Sequence, residues 1–468
     1  MNVATRLARA GLELSLRCAE AGHGIASSWW GRGLGSRHGA GAGSPPSLSR
    51  LAAILQQAEE GLAENVLPFW ARHAPDREHG GFITHLDHVG RRLGPTDKYL
   101  VMQARLIWTM AAAHRHGLTG QGYLDLGGQG VQFLIERMWD AEHGGFVWTV
   151  RRDGDPLDRR KLLYGQAFAI YALAEYAIAA GDPSALTWAG TTLEILRRRA
   201  GDGHLGFREQ FARDWTPLPG AAGTRKTLNA HLHLLEAMTT LVEASRNPAH
   251  AAEVRQLLDI ILTRAIHPRQ RCAREYFDWA WRPEPHWRRR TSISYGHGVE
   301  AAWLALRAVD VLGEDREPLR QPVLGLIDHA LAYGFDHARG GLARYGPPVG
   351  DARAAVYLGR DRLTKHWWEQ AEMLVATIEA YRWTGQSRYG VAFDKQFDWV
   401  WRRQIDHQGG DWFGATAWRD GRPLCLDKGD NWKDSYHGAR ALMEVSRQLR
   451  VAASAAHQLA NPVDDSVH

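Results

Sequence analysis

Histidine, arginine and carboxylate residues stand beside aromatic residues at a few places in this sequence. His297 and Glu300 are three residues apart, which puts both on one face of a helix, and Tyr436 directly precedes His437. Because the unperturbed pKa of histidine lies near neutrality, this side chain can take up and return a proton at working pH. Two histidines on opposite sides of one carbon could remove its proton from one face and replace it on the other.

A carbon acid next to a carbonyl leaves an enediolate when it loses its proton. A fixed arginine, for which Arg105 is a candidate, could stabilise the developing oxyanion. A carboxylate near one histidine would hold its tautomer and raise its basicity. Taken singly, each residue has a structural explanation: Glu300 could complement a helix N-terminus, and Arg105 could pair with any carboxylate. Recurrence of such residues at equivalent points of several repeats favours a shared ligand-binding cleft.

The elements that must position these residues recur along the chain. A Gly- and aromatic-rich element appears six times, about 60 to 70 residues apart, and predicts a short β-hairpin each time. The six copies are Gly80-Gly81-Phe82, Gly144-Gly145-Phe146, Leu205-Gly206-Phe207, Glu275-Tyr276-Phe277, Gly340-Gly341-Leu342 and Gly409-Gly410-Asp411. Apolar residues at three- and four-residue spacing predict helices between them. The predicted inner helices are 103–116, 166–179, 229–245, 298–311, 368–383 and 439–449.

A unit of two helices and one hairpin therefore occurs six times between about residues 50 and 453. One unit cannot bury its apolar stripe alone, so neighbouring units must stack. A closed stack leaves no apolar end exposed, and we find no polar capping unit. We expect an all-α fold, an (α/α)6 barrel or six-hairpin toroid with short β-hairpins at one end. The expected domains are a poorly ordered N-terminal extension, 1–48, the catalytic domain, 49–455, and a C-terminal tail, 456–468.

Composition narrows the class of protein. The net charge is +5, and its one tight basic run, Arg288-Arg289-Arg290, favours a solvated loop over the charged stripe that nucleic acid requires. The cysteines Cys18, Cys272 and Cys425 lack metal-type spacing, which fits a reducing compartment, so we expect a cytoplasmic protein. Acidic residues interrupt the start of the chain, unlike a secretory or transit signal. No apolar window is long enough to predict a membrane span.

At the residues that could do chemistry, the sequence resembles the N-acylglucosamine 2-epimerase superfamily, and most closely its cellobiose 2-epimerases. The resemblance covers nearly everything after residue 50. It is carried by Asp97-Lys98 with Gln103-Ala104-Arg105, by Tyr164-Gly165-Gln166, by Asn229-Ala230-His231-Leu232-His233, by Tyr295-Gly296-His297-Gly298-Val299-Glu300, by Lys365-His366-Trp367-Trp368-Glu369-Gln370-Ala371-Glu372, and by Trp432 with Tyr436-His437. Together these motifs are far more specific than any one of them.

The resemblance implies ring opening of a sugar and proton exchange at carbon 2 through a cis-enediolate. It implies that His297 and His437 are the acid–base pair, that Glu300 is the partner of His297, and that Arg105 binds the enediolate oxygens. The substrate-binding residues that it suggests are Tyr164, Asn229, His233, Trp368, Trp432 and Glu372. It implies neither a cofactor nor a metal.

The resemblance leaves the reaction and the sugar open. A 2-epimerase of cellobiose-type disaccharides or of free mannose and glucose is the main hypothesis. An aldose–ketose isomerase of the mannose/fructose type and an N-acylglucosamine 2-epimerase are the alternatives. The expected partner is a small-molecule sugar, with no nucleic acid or membrane, and the expected assembly is a monomer or homodimer.

Two further readings of an α/α toroid remain as rivals. A hydrolase needs one carboxylate acid and one carboxylate base in the cleft, for which Glu300, Glu372 and Asp434 are the candidates. A carbohydrate-binding protein without catalysis would be expected to lack one of the two histidines or the arginine. All three are present, and histidines outnumber carboxylates at the predicted helix ends, so the isomerase class is favoured.

Overall fold

The computed structural model describes residues 43–94, 96–201, 203, 205–284, 293–350 and 363–460, with the backbone alone over 453–460. Most of the expected N-terminal extension, the basic run Arg288-Arg289-Arg290, Cys18 and residues 461–468 lie outside the described residues. None of the described helices is both long enough and apolar enough to span a lipid bilayer.

Outer and inner helices alternate along the chain. The α-helices are α1 (Leu48–Glu60), α2 (Leu67–His73), α3 (Leu100–Arg115), α4 (Tyr123–Phe133), α5 (Leu163–Ala180), α6 (Pro183–Ala200), α7 (Ala221–Thr224), α8 (Leu228–Ser245), α9 (Pro248–Ile260), α10 (Tyr295–Leu312), α11 (Arg320–Tyr333), α12 (Trp367–Thr384), α13 (Ser387–Trp399) and α14 (Tyr436–Ala460). Four outer helices run into π-helical turns: Gly61–Val66, Leu134–Met138, Ile261–Ala265 and Val400–Gln404. Short 3₁₀ turns lie at Thr119–Gln121 and Glu317–Leu319.

The inner helices α3, α5, α8, α10, α12 and α14 confirm the six predicted ones. In α3, the residues from Leu100 to Ala113 are all buried, as expected for a helix enclosed by neighbours. Each inner helix starts one to three residues before its predicted start, and in all but α14 a short strand leads directly into it. The side chain of Ser294 caps α10 by accepting a hydrogen bond from the backbone N–H of His297. Helix α14 continues to Ala460, beyond the expected domain boundary at residue 455.

Short strands join each unit to the next. They are β1 (Lys98–Tyr99), β2 (Thr149–Val150), β3 (Pro156–Asp158), β4 (Lys161–Leu162), β5 (Gln210–Phe211), β6 (Lys226–Thr227), β7 (Tyr276–Phe277), β8 (Ile293–Ser294), β9 (Tyr345–Gly346), β10 (Thr364–His366), β11 (Ala415–Ala417) and β12 (Pro423–Cys425). Five antiparallel pairs, β1–β2, β4–β5, β6–β7, β8–β9 and β10–β11, connect the strand before one inner helix to the next unit, and β3 and β12 each add a third strand. Five of the six predicted Gly- and aromatic-rich elements lie at tight turns closed by antiparallel bridges, such as Phe335 to Leu342. The fourth, Glu275-Tyr276-Phe277, runs into strand β7 instead, and the turn of its unit is closed by the bridge from Ile266 to Ala273.

A buried lysine fastens several of these turns. Lys98 Nζ donates to the carbonyl of Gly80 at 2.6 Å and lies 3.0 Å from Asp76. The same pair recurs as Lys161 with Asp140 and as Lys365 with Asp336. The fourth unit has His267 and Ile293 at the two positions, so aspartate and lysine are replaced together. A buried ammonium without its carboxylate would be costly, which explains the joint replacement.

The inner helices pack against each other in chain order, and α14 returns to contact α3 and α1. At this contact Ser435 Oγ lies 3.3 Å from Thr109 Oγ1. This circuit of contacts is the one expected of a six-hairpin toroid.

The C-terminal halves of the inner helices carry arginines and glutamates that contact one another. Arg115 NH1 lies 3.0 Å from Glu175 and its NH2 lies 2.5 Å from Glu243, which also accepts from Arg307 at 3.0 Å. On the other side, Arg447 contacts Glu379 at 3.6 Å and Glu444 at 2.7 Å. We call these seven residues the lower charge cluster. They lie on all six inner helices at the end opposite the strands. Their contacts join α3, α5, α8 and α10 in one group and α12 and α14 in another.

Candidate active site

The chemistry-bearing residues lie at the strand end of the inner helices and repeat in register. We count positions from the lysine shortly before each inner helix, or from Ile293 in the fourth unit. The fourth residue after this reference is His297 in the fourth unit, Glu369 in the fifth and His437 in the sixth. The seventh position holds Arg105, His233, Glu300, Glu372 and Arg440. Because these positions are three residues apart, both sets lie on the same face of their helices. The sequence periodicity therefore brings most of the predicted residues together.

His297 is the more solvent-accessible of the two candidate acid–base residues. Its Nδ1 lies 2.8 Å from Oε1 of Glu275, and its side chain is 18% exposed. Burial alone would lower the pKa of His297, but the carboxylate of Glu275, with smaller contributions from Glu300 and Glu369, raises it to about 9. The imidazole is therefore protonated at neutral pH, and its Nε2–H is free to act as an acid.

His437 has the opposite electrostatic environment. Its Nδ1 lies 2.6 Å from Oε1 of Glu372, which fixes Nδ1–H as the donor and leaves Nε2 as the basic nitrogen. Burial, together with the positive charges of Arg105 and Arg440, holds the pKa of His437 well below its usual value. This imidazole is neutral at working pH and can accept a proton.

Trp368 connects the two histidines. Its ring centroid lies 4.9 Å from that of His297 and 5.8 Å from that of His437. Gly296 permits this approach, since a Cβ there would lie 2.6 Å from atoms of Trp368. One indole thus forms a wall shared by an imidazolium and a neutral imidazole, which suits transfer of protons to and from one bound molecule.

Arg440 of α14 is the centre of the site's charge network. Its guanidinium contacts carboxylates from three other inner helices: Glu236, Glu300 at 2.9 Å and Glu372 at 2.7 Å. Tyr436, whose hydroxyl donates to Glu236 at 2.6 Å, also contacts this guanidinium. A pairwise reading of sequence motifs cannot reveal such a contact. The register of the repeats could have, because Arg440 occupies the position of Arg105 and Glu300.

The contacts of Glu300 and Glu372 differ from those expected for their predicted roles. Glu300 is not hydrogen-bonded to His297: its Oε1 accepts from Arg440, and Glu275 takes the expected place beside the imidazole. Glu372, expected to bind substrate, has its oxygens engaged by His437, Arg440 and the indole N–H of Trp303 at 2.8 Å. It is therefore the partner of His437. Both differences have the same cause. The sequence does not show which helices are neighbours at the site, so it does not show which carboxylate contacts which histidine or arginine.

Glu300, Glu372 and His437 offer ligand atoms within 4.8 Å of one another, the spacing of a possible cation site. Arg440 already lies between the two carboxylates and supplies their positive charge. Burial and the neighbouring Glu372 raise the pKa of Glu300 to about 8, so one carboxyl of the group is neutral at pH 7. The arrangement fits a guanidinium-centred network better than a metal centre.

Arg105 lies where it could face an oxyanion. It donates to the carbonyl of Trp432 and to the hydroxyl of Tyr164, each at 3.0 Å, and stacks on the ring of Phe168 at 4.5 Å. Its buried Nε has no partner within the described part of the chain. These contacts fix the guanidinium and leave donor capacity for a ligand.

Three predicted sugar-binding residues surround this arginine. His233 contacts the rings of Tyr164 and Phe168, and its Nδ1 lies 2.9 Å from Glu236. Burial lowers the pKa of His233 to about 4, so it stays neutral. Trp432, 53% exposed, lies beside Tyr164 with 6.4 Å between ring centroids. An exposed indole next to polar groups is suited to stacking under a sugar ring.

Asn229 is the second residue of α8, directly after Leu228. Its Oδ1 is buried, and no described residue donates to it. Since buried acceptors are normally paired, this oxygen is available to a ligand hydroxyl.

Each carboxylate that a hydrolase would need has at least one oxygen bound by another group, although Glu300 and Asp434 each keep one oxygen without a hydrogen-bond partner among the described residues. Glu300 and Glu372 are bound by Arg440, and Asp434 Oδ1 accepts the backbone N–H of Tyr436 at 2.9 Å at the start of α14. The groups with opposite protonation states are histidines. The geometry therefore favours proton exchange at a carbon over glycosidic hydrolysis.

Residues 81–449 match the family of N-acylglucosamine 2-epimerases (GlcNAc 2-epimerases). The chain is 28% identical to the cellobiose 2-epimerase of Bacteroides fragilis, over 84% of this chain and 98% of that protein. It is 26% identical to the D-mannose isomerase of Marinomonas mediterranea, over 83% and 96%. Its structure matches that of the cellobiose 2-epimerase from Spirochaeta thermophila with a TM-score of 0.76 and 33% identity, over 86% of this chain and 98% of that one. The chain belongs to the N-acylglucosamine 2-epimerase family, close to the cellobiose 2-epimerases, and is a sugar epimerase or isomerase.

Proposed function

We propose that this protein is a sugar 2-epimerase that interconverts the glucose and mannose configurations at carbon 2. Its substrate is a cellobiose-type disaccharide or free mannose or glucose. The proposal includes a closed (α/α)6 barrel, supported by the return of α14 to α3. The observation that carries the function is the presence of one imidazolium, His297, and one neutral imidazole, His437, on the same indole wall.

The reaction begins with the ring-opened aldose. For one epimer, Nε2 of His437 takes the proton from carbon 2, and the electron pair of the C–H bond forms the carbon–carbon double bond of an enediolate. Arg105 stabilises the negative charge that develops on the carbonyl oxygen. His297 then donates its Nε2 proton to the opposite face of carbon 2, which restores the aldehyde with inverted configuration. The other epimer reacts with the two histidine roles exchanged.

The proposal is tested by proton NMR of the purified enzyme in D₂O with EDTA, with cellobiose, mannose and N-acetylglucosamine in separate tubes. Deuterium at carbon 2 together with the epimeric aldose is the expected result and identifies the sugar. A folded protein that exchanges no carbon-2 proton in any of the three sugars would contradict the proposal.

An aldose–ketose isomerase is the second candidate, because one relative is a D-mannose isomerase. The same residues would act, but the proton taken from carbon 2 would return to carbon 1. The same NMR experiment separates the two reactions, since isomerisation yields a ketose with deuterium at carbon 1.

A further inference from the structure

One position in the segment after each Gly-rich turn is directed at the start of the inner helix of its own unit. It is occupied by Glu209, Glu275, Arg344 and Gly414 in the third to sixth units. Their equivalence is set by the backbone, because each carbonyl accepts a hydrogen bond from the first residue of the preceding inner helix: Leu163, Leu228, Tyr295 and Trp367, respectively. We call it the rim position.

The side chain at the rim position matches what it faces. Glu275 contacts the imidazole of His297 at 2.8 Å, and Arg344 Nε lies 3.8 Å from the carboxylate of Glu369. These two targets are equivalent residues of neighbouring inner helices. In these two units the rim residue can carry the charge opposite to that of its target, so the position can influence the charge state of the group that it faces.

The remaining two units show the contrast. Glu209 has no histidine at the equivalent helix position, which is Ala230, and it accepts hydrogen bonds from the backbone and hydroxyl of Thr227. In the sixth unit Gly414 offers no side chain to His437, whose carboxylate partner comes instead from the neighbouring inner helix. The rim position thus supplies a carboxylate partner to His297 and no side chain to His437.

Three carboxyl groups act on His297 from three elements: Glu275 from the rim, Glu300 from its own helix and Glu369 from α12. Burial, with the charge of Glu372, raises the pKa of Glu300 to about 8, and burial raises that of Glu369 to about 7 despite Arg344. Both are largely neutral or half-ionised near pH 7. Glu275 is the one of the three that is hydrogen-bonded to the imidazole.

We propose that Glu275 is a positioning residue that holds His297 as an imidazolium and so fixes it as the proton donor of the resting enzyme. The proposal deepens the two-histidine function above and rests on it. It also replaces Glu300, the expected partner, with a residue from outside the helix that carries the histidine.

The proton balance of the cycle follows from this contact. His297 gives its Nε2 proton to carbon 2 and becomes a neutral imidazole, whose Nδ1–H stays hydrogen-bonded to Glu275. His437 holds the proton taken from carbon 2. His437 then releases that proton to water and His297 takes one from water, which restores the starting state. The charge of Glu275 favours this reset.

The test compares Glu275→Gln with Glu209→Gln, its matched control at the same rim position of the preceding unit. Glutamine keeps an acceptor for Nδ1–H but removes the charge. The titration of His297 is followed by NMR of protein with labelled histidine and no substrate, and its signal is assigned by its loss in His297→Asn. In the wild type the signal should titrate near pH 9. In Glu275→Gln it should move down by at least one pH unit, whereas Glu209→Gln should leave it in place.

Activity gives the second readout. For the epimer whose reaction uses His297 as the acid, the loss of kcat/KM at alkaline pH should move by the same amount in Glu275→Gln. A shift of one pH unit corresponds to about a tenfold decrease at pH 10, and Glu275→Asp should restore part of it. An unchanged His297 titration in folded Glu275→Gln would overturn the proposal. Because that titration needs no sugar, it distinguishes a failure of this inference from a failure to find carbon-2 exchange, which would overturn the proposed function instead.

Discussion

The two ends of the inner helices use the same residue types in opposite ways. In the lower charge cluster, arginines and glutamates from different helices alternate, as where Arg115 contacts both Glu175 and Glu243. At the strand end, three carboxylates share the single guanidinium of Arg440. Nearby, both carboxyl oxygens of Glu369 lack a hydrogen-bond partner among the described residues, and Arg344 lies 3.8 Å away.

The difference shows which end supports the fold and which end supports chemistry. In the lower charge cluster each carboxylate contacts at least one arginine, and pairs of this kind that are partly exposed add modest stability. Buried carboxyl groups in excess of their counter-charges are costly, and they respond by changing their pKa values. The strand end therefore trades stability for groups with unusual protonation, as functional sites often do.

The largest expected effect comes from removing one of the two histidines at the strand end. We expect His437→Ala to lower kcat by about 10²–10⁴-fold, the usual contribution of general acid–base catalysis, with the fold retained. His116→Ala is the control, since this histidine lies at the lower end and burial likewise lowers its pKa, to about 4. Carbon-2 exchange and circular dichroism check both variants. Full activity in His437→Ala would contradict the two-histidine assignment, and the same applies to His297→Ala.

The second largest effect should come from Arg440→Met. Removing one partner of a buried charge network leaves uncompensated carboxylates, which costs about 3–5 kcal/mol of unfolding free energy. Arg307→Met in the lower charge cluster should cost less, about 1 kcal/mol, because that side chain is 24% exposed and its pairing is screened by solvent. Urea denaturation of both variants measures the difference. Equal losses would mean that the two ends are energetically alike.

Glu300→Gln is expected to raise the free energy of unfolding at pH 8, whereas Arg440→Met lowers it. The folded-state pKa of Glu300 is raised to about 8 by burial and by Glu372, so the folded protein keeps this proton while the unfolded chain releases it above about pH 4.5. The stability contribution is full below the unfolded pKa and falls as the pH rises to 8. Glutamine removes this loss, so the variant should be about 1–2 kcal/mol more stable than the wild type at pH 8 and less active.

The matched change at the other end is Glu243→Gln, which should destabilise the protein at the same pH because it removes the partner of Arg115 and Arg307. Denaturation curves at pH 5 and pH 8 compare the two variants. A Glu300→Gln protein less stable than the wild type at pH 8 would show that this carboxyl group supports the fold.

The smallest effect is expected for Trp432→Ala. The indole is 53% exposed, so its loss should leave the unfolding free energy within about 0.5 kcal/mol. Loss of a stacking surface for the sugar should raise KM several-fold with little change in kcat. Steady-state kinetics on the sugar identified by NMR provide the measurement, and an unchanged KM would remove Trp432 from the substrate-binding set.

The repeat pattern predicts most of the fold because each unit is a local structure. Helix periodicity located all six inner helices, and their N-terminal ends contained Arg105, His297 and His437. What the pattern cannot supply is the direction of each polar side chain. Gln103 stands near Arg105 in the sequence, yet its amide binds the backbone of Phe82 at 2.8 Å through both atoms and holds a turn.

The residues missed from the sequence are those whose partners lie elsewhere in the chain. Glu275 is separated from His297 by 22 residues, and Arg440 from Glu236 by 204. No local rule connects such positions. Aligning the units on the lysine before each inner helix places Arg440 at the level of Glu300 and Glu372. Aligning them on the bridges that close their turns places Glu275 at the level of Arg344.

The closing contact of the circuit has a consequence for heat tolerance. Helix α14, which carries His437 and Arg440, meets α1 and α3, so the two ends of the repeat array are held together without a covalent link. Terminal units of a repeat array open with a lower free energy than central ones. Separation of α14 would carry His437, the proposed base, away while the four middle units stay folded. The working lifetime of the enzyme at elevated temperature then depends on one helix interface and not on the free energy of complete unfolding.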